Sequence, residues 1–374
     1  MPRLLLSLRR TLCLLAALVP ALCGAAAARP VGAIVVGDLV AKSDLIVIGR
    51  VKAAETEWPE GAAKAAADPT LVPQKITLLV GTVLKGPALA AGSRLTIHAR
   101  SFNPVTEDMF AIFFLVRAEA DQYASLDPEH WYLAAMQVSA ARASAAAGPL
   151  QGVVRELLEV LGTPAAGLDD PTAGVNFPNW PETVRLDRIY QDASEALGQV
   201  PDELVVGPLR KIAAGSDPLV RLWATKTLID RNDVSTLAAV APALTAPRAG
   251  TERIVERIVL QLDRSPSLPA TFLPMMTTLL RSKLPVVRQN AAMAMRHMRV
   301  PPVVRPLVDV IQSEADMPAL AWEVFALCQV TGTQAAPCDS VRPLDVPLEV
   351  NPPLWRQWAA TQRDARTVPD PLAH

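Results

Sequence analysis

The strongest constraint on this chain is an apolar pattern that recurs every 33 or 34 residues in its carboxyl-terminal half. Four segments carry apolar residues at steps of four, which places them on one stripe of a helix. The first column of the pattern is Val220, Ile254, Val287 and Leu320, the second is Ala224, Ile258, Ala291 and Val324, and the third is Leu228, Leu262, Met295 and Cys328. Such a stripe must be buried against neighbours, so the pattern predicts stacked helices.

A second helix is predicted before each of these four segments. The preceding helices are expected at Asp202–Ala214, Val234–Leu244, Pro269–Arg281 and Pro302–Ser313. A two-helix unit of this length cannot bury its apolar face alone, so several units must stack. A leading helix at Glu182–Leu197 is expected to dock on the first unit and cap the array.

The unit length and the helix start Asp217-Pro218-x-Val220-Arg221 resemble HEAT repeats, in their compact form. The resemblance implies a curved α-solenoid. It also implies that Arg221 and Arg288 tie adjacent turns together, although contact with a partner is an alternative role for both. Val255 and Ala321 stand at the equivalent positions of the other two units, so such a ladder would be interrupted.

The amino-terminal half carries five runs typical of β-strands, separated by Gly, Pro, Asn or Asp. They are Leu45–Lys52, Lys75–Leu84, Arg94–Ala99, Met109–Arg117 and Trp131–Val138. Five strands can close a small barrel, which removes exposed edges. A short helix at Ile34–Lys42 precedes them, and Glu55–Pro73 reads as a long excursion between the first two strands.

Three motifs in this half resemble the OB-type barrel of netrin-like and tissue-inhibitor-like domains. They are Ser43–Val51, Val83–Gly86 and Phe110–Leu115. The cysteine framework of that family is absent, as is the amino-terminal cysteine that its protease inhibitors use. The resemblance therefore implies a barrel fold and does not carry the inhibitory activity with it.

The first 28 residues are typical of a cleaved secretory signal. Arg3, Arg9 and Arg10 precede an apolar run, and small residues follow it. The run is short for a membrane-spanning helix, and Leu22 before Cys23 disfavours a lipoprotein anchor. We therefore expect an exported protein, periplasmic or secreted, without an integral membrane span after cleavage.

Two cysteines, Cys328 and Cys338, remain after that segment. An exported pair favours a disulfide, although Cys328 could simply be a small buried residue. The formal net charge of −1 becomes about −4 without the three arginines. This charge gives no sign of nucleic-acid binding.

One polar cluster invites a catalytic or metal-binding interpretation. Asp127-Pro128-Glu129-His130 could ligate a metal or move protons, but Asp-Pro is turn chemistry and a turn is the favoured interpretation. His98 alternates with apolar residues and is expected on a solvent-facing side, and His297 is interpreted as a surface histidine. No familiar catalytic motif is present, so we predict no catalytic, cofactor or metal residues.

The predicted fold is α+β with two domains. Its segments are a signal at 1–28, a barrel at 29–140, a helix and Pro-rich linker at 141–181, a solenoid at 182–335 and a tail at 336–374. In the tail, Pro353–Gln362 could form a helix carrying Trp355 and Trp358. Capping of the solenoid is the expected role of this helix, and partner binding is the alternative.

These features predict a non-enzymatic scaffold that binds a protein partner through the solenoid, the barrel or both. A regulator or inhibitor of an extracytoplasmic enzyme, acting through the barrel, is one alternative. A hydrolase or metal-dependent enzyme built on Glu129 and His130 is the other.

Overall fold

The structure is a computed structural model, described over residues 35–57, 71–119, 122–136, 148–168, 182–263, 268–298, 300–333, 338 and 351–368. The predicted signal at residues 1–28 lies outside these ranges. Each predicted domain limit also falls on or beside residues outside them, so the limits stay predictions. The described residues belong to one compact unit.

Five strands close a barrel in the amino-terminal half, and a sixth is added to it. They are β1 (Leu45–Thr56), β2 (Val72–Lys85), β3 (Arg94–Ser101), β4 (Phe110–Glu119), β5 (Gln122–Ser125) and β6 (Tyr132–Ala134). The order is β1-β2-β3-β5-β4, and pairing of β4 with β1 completes the circle. The β3–β5 pair is parallel and the others are antiparallel. A closed five-stranded barrel is therefore confirmed.

The closing strand differs from the prediction. Trp131–Val138 was expected to be the fifth strand, but within it only β6 is a strand, and residues 137 and 138 lie outside the description. The barrel is closed instead by β5, whose four residues are too short to give a visible alternation. The predicted excursion at Glu55–Pro73 was also too long, because β1 and β2 extend into both of its ends.

Alternation along β2 shows how the barrel core forms. Ile76, Leu78 and Val80 are buried, whereas Lys75 is exposed and Thr77 is half-buried. Residues on one face of a strand recur at every second position, so the apolar set fills the interior. The strand β4 is apolar and buried along its first six residues, because other elements also cover its outer side.

Thirteen helices are described around and after the barrel. They are α1 (Val36–Lys42), α2 (Pro149–Gly162), α3 (Ala165–Leu168), α4 (Glu182–Gly198), α5 (Asp202–Ala213), α6 (Pro218–Ile229), α7 (Leu237–Thr245), α8 (Glu252–Asp263), α9 (Leu273–Leu279), α10 (Pro285–Met295), α11 (Val304–Ile311), α12 (Met317–Thr331) and α13 (Pro352–Thr361). Short 3-10 turns, Ala270–Phe272 and Pro301–Val303, lead into α9 and α11. Within these ranges no helix is long and apolar enough to cross a bilayer.

The helices predicted from the repeat pattern are all present, with small shifts at their ends. Helix α2 includes Gly162 and is capped by Thr163, in an extended conformation. The Pro-rich linker at Pro164–Pro181 begins with the short helix α3. Its remaining residues lie outside the description up to Glu182.

The apolar columns lie where the second helices of successive units meet. Helix α6 packs against α8, α8 against α10, and α10 against α12. None of the twelve column residues is more than 4% exposed. The predicted stripe is therefore confirmed.

Side-chain hydrogen bonds between these helices repeat the sequence spacing. Thr227 Oγ1 donates to Ser194 Oγ at 2.8 Å across 33 residues, and Asn290 Nδ2 donates to the Glu256 carbonyl at 3.4 Å across 34. The first of these bonds joins α4 to α6. Helix α4 therefore takes the position of the second helix in one more unit of the repeat, and α2 packs against it.

Other elements cover both ends of the stacked helices α4–α12, which we call the helical layer. At one end α2 contacts α1 and β2, and α4 contacts β6. At the other end α13 packs against α11 and α12. Arg356 strengthens that contact by donating from Nη2 to the Glu314 carbonyl at 2.6 Å.

Two second helices begin with the same cap. The Asp217 carboxylate accepts from the Val220 amide at 2.9 Å, and Asp316 accepts from the Ala319 amide at 3.1 Å. Each aspartate accepts from an amide that has no acceptor inside its helix. A proline lies at the first or second position of each of these helices.

Replacing Asp217 with alanine is expected to lower the free energy of unfolding by about 1 kcal/mol, because the Val220 amide loses its acceptor. Urea unfolding followed by circular dichroism measures this change. Lys211→Ala on α5 is the control, since Lys211 is exposed. An equal effect of both substitutions would show that the cap is not responsible.

Candidate binding groove on the helical layer

A groove of about 580 Å³ opens where α4, α6 and the start of α8 meet. Cavities of this size can accommodate a small ligand or a few side chains of a partner. The residues that line it are Ala165, Leu186, Asp187, Tyr190, Leu219, Trp223, Ala249, Gly250, Thr251, Glu252, Arg253 and Ile254. Most of them are apolar or small, and the charged ones come from α4 and α8.

Two stacked aromatic rings form the floor of the groove. Tyr190 and Trp223 lie 6.0 Å apart between ring centroids, with an interplanar angle of 18°. The Tyr190 hydroxyl donates to the Thr163 carbonyl at 2.6 Å, and the Arg257 guanidinium lies 5.9 Å from the Trp223 ring centroid. Stacking, the hydrogen bond and the cation–π contact hold the floor in one arrangement.

Charged side chains line one wall. Arg257 Nη2 lies 3.1 Å from Asp187 Oδ2 and donates to Gln191 Oε1 at 3.0 Å. Arg253 Nη1 is 3.9 Å from the same carboxylate, and its side chain is 67% exposed. Arg257 is therefore held in place, whereas Arg253 has room to contact a bound partner. The groove can bind an apolar group against the half-buried Leu186 and Leu219 and a polar group at its rim.

The sequence contains a signal for the groove, in a further column of the repeat. Tyr190, Trp223 and Arg257 are separated by 33 and 34 residues, so they occupy equivalent positions in three helices. Trp223 lies buried between α4 and α8. Tyr190 was missed because α4 was treated as a cap outside the repeat.

The two arginines singled out by the repeat lie away from the groove. Arg221 donates from Nε to the Ala213 carbonyl at 3.1 Å and from Nη2 to the Ala239 carbonyl at 2.6 Å, which joins α5 to α7. Arg288 grips the Glu314 carboxylate with two bonds, 2.6 Å from Nε and 2.9 Å from Nη2. Arg221 therefore links three helices, and Arg288 ties α10 to the turn before α12.

The Arg288–Glu314 pair belongs to a buried cluster with Glu323 of α12. Burial raises the pKa of Glu323 to about 9, and the nearby Glu314 carboxylate adds to the shift. Burial also acts to raise the pKa of Glu314, but Arg288 and the amides of Asp316 and Ala315 together hold that pKa below its ordinary value. The cluster therefore contains one ionised and one protonated carboxyl group at neutral pH.

A second buried carboxyl group lies beside the barrel. Asp192 of α4 is 3% exposed, and its Oδ1 is 2.8 Å from Arg188 Nε. Burial raises its pKa to about 6, against the opposing effect of Arg188. The same carboxylate contributes to the raised pKa of Tyr132 on β6, behind the larger effect of burial. This pair lies at the contact between barrel and helices and is not part of the groove.

The tail tryptophans are also separate from the groove. Trp355 is 4% exposed in α13, and Trp358 is half-buried one turn later. Their helix packs on the last helices of the array. Leu354 is a large apolar side chain of α13 that is exposed, at 56%.

Cys328 and Cys338 form a disulfide, with their Cα atoms 5.7 Å apart and a sequence separation of 10. Cys328 is also the last residue of the third apolar column and is 4% exposed. Cys328 is therefore both a small buried residue and a member of a disulfide, so the two interpretations hold together.

Replacing both cysteines with serine is expected to lower the free energy of unfolding by about 2 kcal/mol, because a short closed loop restrains the unfolded chain. Urea unfolding without reductant measures the change. The native protein unfolded with reductant is the control and is expected to match the double variant. Equal stability of the oxidised protein and the variant would contradict this expectation.

The Asp127–His130 cluster forms a turn. Asp127 Oδ1 accepts from the amides of Glu129 and His130, at 2.7 Å each, as expected for an aspartate that stabilises a turn. Among the described residues no group of three or more His, Cys, Asp or Glu side chains could hold a metal ion.

Two further described histidines have different surroundings. His98 is 40% exposed and its Nδ1 lies 3.3 Å from Glu57 Oε2, on the outer side of β3. His297 was interpreted as a surface residue, but its side chain is 21% exposed and Nε2 lies 3.4 Å from Asp263 Oδ1. That partner is distant in sequence, so only the stacking of α8 on α10 brings it close.

No protein-family model and no curated protein matches this sequence.

Proposed function

We propose that the chain is an exported, non-enzymatic scaffold that binds a protein partner on its helical layer, with the groove between α4, α6 and α8 as the central contact. The observation that carries the proposal is the rigid aromatic floor with an exposed charged rim. The buried, fixed Tyr190–Trp223 pair supports the half-buried Leu186 and Leu219 of the lining, which a partner side chain can contact at little entropic cost. Exposed Arg253 can add a polar contact beside it.

The proposal includes a HEAT-like arrangement of the helices. Support comes from the buried columns and from inter-helix hydrogen bonds at spacings of 33 and 34 residues. Units that repeat their neighbour contacts in this way form extended surfaces suited to protein partners. The proposed barrel type is OB-like, which the closed five-stranded order with a parallel β3–β5 pair favours.

Site-specific crosslinking tests the scaffold function. A photoreactive amino acid replaces Arg253 at the groove rim in the mature protein, which is then irradiated in an envelope extract. We expect one crosslinked partner, and an excess of unlabelled native protein is expected to compete it away.

The matched competitors are two tryptophan variants of the same loop. Ala249→Trp fills the groove, since Ala249 lines it and is exposed. Ala246→Trp adds the same ring at an exposed position outside the lining. We expect the second variant to compete like the native protein and the first to fail. No specific crosslink, or equal competition by both variants, would refute the groove as the binding site.

A further inference from the structure

The outer face of β1, β2 and β3 gathers five cationic side chains. Strand register places Arg50 and Arg94 on either side of Leu79 in one row. Further rows contain Thr77 with Thr96, Lys75 with His98 and Pro73 with Arg100, and Lys52 lies at the irregularity between Val51 and Ala53. We call Arg50, Lys52, Lys75, Arg94 and Arg100 the basic sheet face.

Within the described ranges, these five cations have no counterion. Lys52, Lys75, Arg94 and Arg100 are exposed and Arg50 is half-buried. In the parts of the chain that the structure describes, none of the five side chains forms an ion pair or a hydrogen bond. His98, in the same area, differs because it pairs with Glu57. Guanidinium groups that are free in this way can grip carboxylates through two parallel bonds.

The spacing of the face suits an extended acidic peptide. Adjacent strands lie about 4.8 Å apart, so the Cα atoms of Arg50 and Arg94, two strands apart, are about 10 Å from each other. Alternate residues along β3 are about 7 Å apart, which is also the repeat of alternate side chains in an extended peptide. Leu79, Thr77 and Thr96 provide uncharged contacts between the cations.

The charge pattern favours a protein segment over a uniform polyanion. Glu55 faces Lys75 across the β1–β2 pair, and Glu57 lies at the end of the same face. A polymer with closely spaced negative charges would be repelled by the carboxylates of both Glu55 and Glu57. A peptide with carboxylates only at chosen positions can avoid both of these carboxylates.

We infer that the basic sheet face is a docking surface for an extended, acidic segment of a protein partner. It lies on the barrel, so a partner anchored in the helical groove could be held at a second site. The inference rests on the proposed scaffold function only in taking the occupant to be a protein.

A defined probe tests this surface in the full-length mature protein. The probe is a fluorescein-labelled peptide that alternates glutamate with threonine, and fluorescence anisotropy reports its binding at about 20 mM salt. We expect saturable binding that weakens about tenfold or more in Arg50→Gln/Arg94→Gln. Because Arg50 is half-buried, Lys75→Gln/Arg100→Gln is the second variant, with the same expected direction and both residues exposed.

Arg281→Gln/Lys283→Gln is the matched control, since both residues are exposed and lie in the helical half. It removes the same net charge and is expected to leave binding unchanged. Absence of peptide binding, or equal weakening by the control, would overturn the inference. Tighter binding of a sulfated polysaccharide or single-stranded DNA than of the peptide would overturn it too. Neither result depends on the groove crosslinking, so the two proposals can fail separately.

Discussion

Replacing Arg288 with methionine is expected to lower the free energy of unfolding by about 3 kcal/mol. Methionine keeps most of the packing of the side chain but removes both bonds to Glu314. The Glu314 side chain is 5% exposed, so its carboxylate would be left buried without its main partner. The amides of Ala315 and Asp316 still donate to it, at 2.9 and 2.8 Å, and they moderate the loss.

Urea unfolding at neutral pH measures this effect. Arg305→Met on α11 is the matched control, because Arg305 is exposed and makes no side-chain bond within the described ranges. Adding Glu314→Gln to the Arg288 variant is expected to restore part of the stability, since the buried charge is then gone. A loss of the same size in the Arg305 control would show that general effects of methionine dominate.

Replacing Glu323 with glutamine is expected to raise the free energy of unfolding by about 3 kcal/mol at pH 7 and to change it little near pH 4.5. Burial raises the pKa of Glu323 to about 9 in the folded protein. The folded state then retains a proton that the unfolded state has released. Between the unfolded pKa, near 4.5, and about 9, the native protein therefore loses stability as the pH rises. Glutamine has no proton to lose, so the variant does not share this decline.

Unfolding curves recorded from pH 4.5 to pH 8 give the comparison. Both oxygens of Glu323 are buried, and the neighbouring Glu314 carboxylate favours the protonated form, which makes the position sensitive to charge. Glu203→Gln on the exposed side of α5 is the control and is expected to follow the native pH dependence. Parallel curves for the native protein and the Glu323 variant would contradict the assignment of a protonated carboxyl group.

These two substitutions concern a cluster that only partly follows from the repeat. Arg288 was singled out because it follows Val287 in a unit that begins like the one with Val220 and Arg221. Its partner was not predictable, since Glu314 lies 26 residues later in the turn before α12. Glu323 lies in an apolar stretch and gave no signal of its own. Tertiary packing alone decides that a carboxyl group there must stay protonated.

The barrel shows the same division between local pattern and long-range contact. Alternation along β2 and β3 is strong enough to predict both strands, because their side chains face core and solvent in turn. The closing strand β5 has four residues and depends on parallel pairing with β3 and antiparallel pairing with β4. Such a strand is stable only when its neighbours are already in place, so no local pattern marks it.

The groove was not predicted, although its residues obey the repeat. Tyr190, Trp223 and Arg257 come from three helices, and only stacking brings them together. The basic sheet face was missed for a similar reason. Its five cations are spread from Arg50 to Arg100 along the chain, and strand register places them on one face.

The sequence by itself determined the helical units, their period and the residues that each unit buries. It could do so because helix periodicity and the burial of apolar side chains are local properties that repeat at every turn. Only the tertiary structure decided that α4 belongs to the same layer, that β5 closes the barrel, and that charged side chains far apart in the chain meet. Those outcomes depend on which surfaces pack against each other, and the position of a residue along the chain does not encode its distant neighbours.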